Sequence, residues 1–132
     1  MHNLKRIGAV LAAVVLACCL HITALAAVED TGFSDVAADA WYADAAAYVR
    51  DNGLMNGVTA TAFAPDGIMT RAMLAQTLYR AAGSPAVPMQ PEYTDVPAEA
   101  WYSDAVAWAT VEGLTGGYGD GRFGPGDPGS RE

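Results

Sequence analysis

Cysteine, histidine and lysine are confined to the first residues of the sequence. These five residues are His2, Lys5, Cys18, Cys19 and His21. A chain that loses this segment has no thiol, imidazole or amine side chain. That excludes disulfides, cysteine or histidine metal sites, cysteine nucleophiles, histidine bases and Schiff-base lysines. We therefore expect neither a metal nor a cofactor.

The same segment has the features of a secretory signal peptide. A short basic stretch precedes a 14-residue apolar run from Ile7 to Leu20, which is shorter than the ~20 residues that a membrane-spanning helix needs. The triplet Ala24-Leu25-Ala26 has the form that signal peptidase cleaves. We predict a signal peptide over residues 1–26 and no transmembrane segment after cleavage. A lipoprotein signal ending before Cys18 is the alternative.

Positive charge is scarce in the rest of the chain. Residues 27–132 contain 15 carboxylates and five arginines, a formal charge of −10; the arginines are Arg50, Arg71, Arg80, Arg122 and Arg131. Nucleic acid is a poor partner for such a chain because phosphate binding needs a basic surface. An anionic ligand has to be met locally, by arginine.

Catalysis by carboxylates is the enzyme function that the composition still allows. A glycan hydrolase needs two carboxylates about 5–10 Å apart, but none of the 15 stands out by its context. The stretch 120–127 also lacks the ligand spacing of a calcium loop. We predict no catalytic residue and no metal ligand, and a secreted glycan hydrolase remains a minor alternative.

An internal repeat organises the chain. Residues 33–72 match residues 93–132 at a constant offset of 60, without a gap and with identity at 15 of 40 positions. Repeats of this length indicate supersecondary units that bury their apolar faces against each other. We assign residues 27–84 to the first unit, 85–92 to an extended proline-rich linker and 93–132 to the second unit.

Each unit has the pattern of a helix, a turn-rich loop and a second helix, so the predicted fold class is all-α. Apolar residues at helical spacing predict a first helix over residues 40–52, capped by Asp39 and ended by Gly53. Thr70 is predicted to cap the second helix, which stops at Gly83, and Phe63 to insert into the core from the loop. The first helix of the second unit is expected over residues 100–112.

The second unit stops just where its second helix should begin. We therefore expect a fragment of a longer protein, or a helix supplied by another chain. Without that helix, the apolar face around Trp101, Ala105 and Trp108 is expected to be partly exposed.

Two arginines kept in both units are the sharpest candidates for ligand binding. Arg71 and Arg131 each follow a helix cap directly, where the helix dipole disfavours a cation by about 0.3–1 kcal/mol. A ligand carboxylate explains this placement, because guanidinium, backbone N–H groups and dipole would all face it. The alternative is an arginine that braces the loop by pairing with Asp35 or Asp44.

Six further residues kept in both units are candidate ligand contacts. Trp41 and Trp101 could stack on sugar rings, although the helical spacing expects one aromatic of each Trp-Tyr pair to face the core. Gly57 and Gly117 either let a ligand approach the backbone or take positive φ in their loops. Asp35 and Asp95 either bind a glycan hydroxyl or brace the segment before the first helix.

The order of the motifs resembles the S-layer homology family. The first unit carries a complete motif and the second a C-terminally truncated one; the elements are Phe33-x-Asp35-Val36, Trp41-Tyr42, Gly53-Leu54-x-x-Gly57, Phe63-x-Pro65 and Thr70-Arg71-Ala72, and the same series from Tyr93 to Ser130-Arg131-Glu132. Met73 departs from the family pattern, because a glutamate that completes a capping box is frequent there.

The resemblance implies modules, usually three in tandem, packed as a three-pronged helical spindle. Such modules bind secondary cell-wall polysaccharide, often pyruvylated, on walls of the Gram-positive type. It implies here a secreted, non-catalytic anchor at the cell surface that binds an acidic polysaccharide attached to peptidoglycan, with further repeats of the same or another chain as partners. The alternative is a protein-docking or self-assembly module of a surface-layer protein.

Overall fold

Three helices form the structure, a computed structural model that describes residues 31–89 and 93–129. They are α1 (Ala43–Asp51), α2 (Arg71–Ala81) and α3 (Ser103–Val111). The described ranges contain no β-strand, which confirms the all-α class. No helix in the described part of the chain has the length and apolarity to cross a membrane. The predicted signal peptide, the end of the linker and Arg131 lie outside these ranges.

The first helix of each unit begins three residues later than predicted. Ala40 N donates to Ala37 O at 3.0 Å and Ala43 N to Ala40 O at 2.9 Å, so two successive turns precede α1. The N-cap is Tyr42, without a side-chain hydrogen bond, and the predicted Asp39 cap is wrong. The second unit repeats this geometry, with α3 starting after Tyr102. The apolar spacing does not distinguish these tight turns from helix, because both bring neighbouring residues to one side.

Two predicted helix boundaries are confirmed. Gly53 has φ +66° after α1, and Leu54 N donates back to Val49 O at 2.8 Å, which closes the helix with a left-handed residue. At the start of α2, the Thr70 side chain accepts a hydrogen bond from Met73 N at 3.3 Å. Thr70 therefore caps the helix although Met73 cannot complete a capping box.

Helix α2 packs on the unit that follows it in the chain. Among the described helices, α2 contacts α3 and not α1. Ala75 and Tyr79 of α2 therefore join the core of the second unit, which is built from Val96, Ala105, Val106, Ala109 and Phe123. The partial exposure expected of the α3 face is found at Trp101, which is 62% exposed, but not at Ala105, which is 0% exposed. Its partner helix comes from the preceding unit.

The equivalent face of α1 has no such partner among the described residues. Ala45, the counterpart of Ala105, is exposed, and Tyr48 is 62% exposed. In α3 the counterpart of Tyr48 is Trp108, whose ring packs on Tyr79 of α2 at 5.7 Å. The core of the first unit is correspondingly smaller and lies on the other side of α1, where Phe63 packs as predicted against Phe33, Val36, Ala43 and Ala46.

Candidate functional site

Each unit folds its loop around one aspartate. Asp35 accepts hydrogen bonds from Phe63 N at 2.8 Å and Ala64 N at 2.7 Å. Asp95 accepts them from Phe123 N and Gly124 N, both at 2.8 Å. Both oxygens of each carboxylate therefore hold the loop that follows the first helix. The bracing role considered for these aspartates is present in both units.

The N–H donors also affect the acidity of the two carboxyl groups. The hydrogen bonds from Phe63 and then Ala64 lower the pKa of Asp35 below its ordinary value of 3.8. Burial raises the pKa of Asp95, but the hydrogen bonds from Phe123 and Gly124 outweigh it, so the net pKa is also lowered. Both loops thus favour an ionised aspartate.

Arg71 lies at the contact between the two units. Its Nε donates to Phe123 O at 2.9 Å and its Nη2 to Gly116 O at 2.6 Å. The guanidinium also stacks over the rings of Phe123 and Tyr118, at 4.7 and 5.1 Å from their centroids. Its acceptors are two carbonyl groups and the Thr115 hydroxyl of the second unit, rather than Asp35 or Asp44. Arg71 therefore ties α2 to the following loop.

The backbone N–H groups at the start of α2 have acceptors within the protein. Arg71 N donates to Asp127 O at 2.8 Å and Ala72 N to Pro125 O at 3.1 Å, while Met73 N bonds the Thr70 side chain. The loop of the second unit therefore occupies the position at which the sequence expected an anion. This satisfies the donors that a helix start leaves unpaired.

A groove of about 440 Å³ opens on the other side of α2. One wall is the loop of the first unit, another is α2, and Trp101 of the second unit closes the third. Its lining consists of Leu54, Met55, Asn56, Gly57, Val58, Phe63, Met73, Gln76, Thr77, Arg80 and Trp101. Two predicted site residues, Gly57 and Trp101, thus lie in one groove, and Arg71 is not among its lining residues.

Trp101 and Trp41 do not enter the cores. Trp101 is 62% exposed and Trp41 is 93% exposed, while each stands edge-on to the tyrosine that follows it. Tyr42 and Tyr102 are the aromatics that pack against the cores. One aromatic of each pair thus faces the core, as the helical spacing predicts, and it is the tyrosine rather than the tryptophan.

The two predicted glycines lie where their loops close tightly. A Cβ at Gly57, which has φ +78°, would stand 2.5 Å from Ala62 O and 2.7 Å from a Phe33 ring carbon. A Cβ at Gly117 would stand 2.6 Å from Arg122 O. Both positions therefore need glycine for the fold itself, and Gly57 also faces the groove.

Comparison with known proteins agrees with this architecture. The sequence profile of the S-layer homology domain matches residues 32–73 and 92–132, more than half of the chain. The chain belongs to the S-layer homology domain family. Its two matches correspond to the two units of the structure.

Two relatives carry names from the same group of proteins. Over 54 residues the chain is 50% identical to a "Surface-layer 125 kDa protein" of Lysinibacillus sphaericus. It is 41% identical, also over 54 residues, to an "S-layer-related protein" of Niallia circulans. Each match covers 41% of this chain, and 5% and 3% of the respective relatives. No solved structure matches the chain.

Sequence reasoning missed Arg80 and Gln76 of this S-layer homology module. With its amide turned to satisfy both neighbours, Gln76 donates to Trp101 O at 2.9 Å and accepts from Arg80 Nε at 3.2 Å. The second unit ends before the equivalent positions, so comparing the two units shows nothing about them. The available signal is that Gln76 and Arg80 stand four residues apart, on one side of α2.

Proposed function

We propose that this S-layer homology module anchors a secreted protein to the cell wall, non-covalently and without catalysis, by binding an acidic wall polysaccharide. The supporting observation is the groove between the units. It combines an exposed indole, an arginine and flexible apolar side chains, and none of its lining residues is acidic. In a chain with 15 carboxylates, that composition suits a negatively charged saccharide.

Trp101 and Gly57 are the proposed contacts with the sugar. An exposed indole offers a flat apolar face that suits the C–H face of a pyranose ring. Gly57 leaves one position of the loop wall without a side chain. A pyruvyl ketal on the sugar would supply the negative charge, and the polysaccharide attached to peptidoglycan would be its carrier.

The other predicted site residues support the groove from outside. Asp35, Asp95 and Gly117 shape the loops, and Arg71 holds the second unit against α2. Direct contact of these residues, or of Arg131, with the glycan stays a prediction.

One groove should bind weakly, and several grooves acting together would raise the apparent affinity. Trp41, which extends from the first unit as Trp101 does from the second, would then close an equivalent groove with another repeat.

Co-sedimentation of residues 27–132 with purified sacculi tests this function. We expect binding to native sacculi and loss of binding after acid removes the attached polysaccharide. Trp101→Ala should reduce the bound fraction, whereas the matched variant Trp41→Ala should not, because Trp41 lies outside the described groove. Equal binding to intact and stripped sacculi would refute the polysaccharide as the ligand.

Docking of another repeat is a second candidate function, favoured by the uncovered face of α1. The same face on α3 is covered by α2, through Ala75 and Tyr79. The proposed occupant is therefore the second helix of a further repeat. The α2 helix of a second copy already packs on its own α3. The helix that covers α1 must therefore come from a repeat whose second helix does not pack on a following repeat.

A peptide with the sequence of residues 68–84 tests this docking. Added to labelled protein, it should shift the backbone amide NMR signals of α1. The variant Ala45→Arg, changed at an exposed position, should abolish the shifts without altering the fold. Shifts of equal size in that variant would show that the peptide binds elsewhere.

A further inference from the structure

Arg80 is the charged residue of the groove lining. The other three arginines of the described ranges have different surroundings. Arg50 pairs with Asp51 and Arg122 with Asp120, each at 2.8 Å, and Arg71 is engaged by the second unit. Arg80 has no carboxylate partner within the described residues, so its charge is uncompensated at short range.

The guanidinium of Arg80 is held at two of its three nitrogens. Nη1 is 3.4 Å from Leu54 O, and Nε donates to Gln76, whose amide in turn donates to Trp101 O. Within the part of the chain that the structure describes, Nη2 donates to no acceptor. Two of the three guanidinium nitrogens are therefore oriented by the protein while Nη2 remains available to donate. A fixed guanidinium with available donors is suited to recognising a carboxylate or phosphate.

Helix stability explains only part of this arrangement. A cation in the last turn of α2 interacts favourably with the helix dipole, and a lysine would do so equally well. The dipole does not account for the lack of carboxylates around the groove, nor for the hydrogen-bonded link from Arg80 through Gln76 to the residue that carries the exposed indole.

We propose that Arg80, rather than Arg71, determines the charge specificity of the groove: its guanidinium receives the anionic substituent of a saccharide whose ring stacks on Trp101. Gln76 and Leu54 O are positioning groups that orient the guanidinium. This inference rests on the proposed saccharide binding. The ligand class is a sugar bearing a carboxylate or a phosphate, two groups that offer the fork the same pair of oxygens.

An NMR titration with three probes tests the inference on residues 27–132. The probes are methyl glucoside, its 4,6-pyruvyl ketal and glucose 6-phosphate, and the signal is the indole N–H of Trp101. The preferred anionic probe should half-saturate at a concentration about tenfold lower than methyl glucoside, the size of one charge-assisted hydrogen bond. The two anionic probes distinguish carboxylate from phosphate recognition.

Variants then separate charge from geometry. Arg80→Gln should bring the ratio between the half-saturation concentrations of the neutral and anionic probes close to one, while methyl glucoside binds as before. Arg80→Lys should keep part of the ratio, and Gln76→Ala, which retains the charge but frees the guanidinium, should lie between Arg80→Gln and the parent. Arg122→Gln removes an equal charge outside the groove and should leave the ratio unchanged. Circular dichroism checks that each variant keeps its helices.

The inference is overturned if the parent chain does not discriminate between the probes or if Arg80→Gln discriminates as well as the parent. Binding to native sacculi with either of these results leaves the proposed function standing and removes only the role of Arg80. Absence of binding to both sacculi and probes removes both.

Discussion

At the scale of single residues, charged side chains hold the two loops in place. Asp35 and Asp95 each bind two backbone N–H groups of their own unit. Arg71 binds two carbonyl groups of the next unit. Backbone groups in such turn-rich loops lack the partners that a helix or sheet provides, so side chains satisfy them instead. Asp35, Asp95 and Arg71 therefore all contribute to closing the loops of the described residues.

The lowered pKa values predict a loss of stability in acid. A carboxyl group whose folded pKa lies below its unfolded value stabilises the protein above the unfolded pKa, and loses that contribution as the pH falls through the folded pKa. The melting temperature should therefore stay level from pH 7 to about 5 and fall below pH ~4.

Asp95→Asn should show the origin of that loss. It should lower the melting temperature at pH 7, because an amide offers one acceptor atom where the carboxylate offers two. At pH 3 the difference from the parent should shrink. Asp104→Asn, at an exposed position of α3, is the control, and equal melting of Asp95→Asn and the parent at pH 7 would contradict the bracing role.

Arg71→Ala should destabilise the second unit. Losing two hydrogen bonds and two ring contacts should lower the free energy of unfolding by about 2 kcal/mol, or the melting temperature by ~10 °C. Arg122→Ala, which breaks an exposed ion pair in the same unit, should lower the melting temperature much less, because solvent screens such a pair. Thermal unfolding followed by circular dichroism measures both. Equal effects of the two variants would show that Arg71 does not hold the units together.

The sequence allowed part of the candidate site to be predicted. Gly57 and Trp101 were found because duplication kept them, and both line the groove. The internal partners of Arg71 could not be foreseen, because they lie 44 to 52 positions further along the chain. Spacing alone does not show which backbone carbonyls will face a side chain. Arg80 has no counterpart in the second unit, so the repeat drew no attention to it.

At the scale of elements, α2 decides how the units associate. The helix has two faces with different contacts. Ala72 and Ala75 are buried, Ala75 against α3. On the other face, the residues that line the groove are Met73, Gln76, Thr77 and Arg80. Small residues on both helices let α2 and α3 approach closely. Helix α1 carries similar small residues but contacts neither α2 nor α3 within the described chain.

Matched substitutions on α3 and α1 should show this difference. Ala105→Leu places a larger side chain in a fully buried contact and should lower the free energy of unfolding by about 1–3 kcal/mol. Ala45→Leu is the equivalent change on the exposed face of α1 and should alter it by less than ~0.5 kcal/mol. Denaturant titration of both variants measures these values. Similar losses would mean that α1 is covered as α3 is.

The helices were predictable as elements, but their pairing was not. Thr70 and Gly53 are local signals, and both boundaries that they predict are found. The apolar positions of α2 show which of its residues are buried, but they do not show which helix those residues pack against. Two packings, on α1 or on α3, bury similar side chains and follow from the same sequence pattern. The structure resolves this choice in favour of the helix later in the chain.

At the scale of the whole molecule, the sequence units and the packing units have different boundaries. The core of the second unit includes Ala75 and Tyr79, which belong by sequence to the first. A second unit that begins at the proline-rich linker would therefore lack α2, which forms one side of its core. Cores of this size are marginal even when complete.

Two fragments test this division. Residues 68–132 contain α2 and α3 and should give a dispersed NMR spectrum and cooperative unfolding. Residues 85–132, which contain one whole sequence repeat without α2, should remain unfolded. Residues 27–132 provide the reference spectrum. Comparable dispersion from the two fragments would show that the second unit folds without the preceding helix.

The contribution of α2 to the next core also gives the assembly a direction. A chain that emerges from its N-terminal end presents α2 before the segment that needs it. Each module can then pack on the helix of the module before it, so folding can proceed from the N-terminal module towards the C-terminal one.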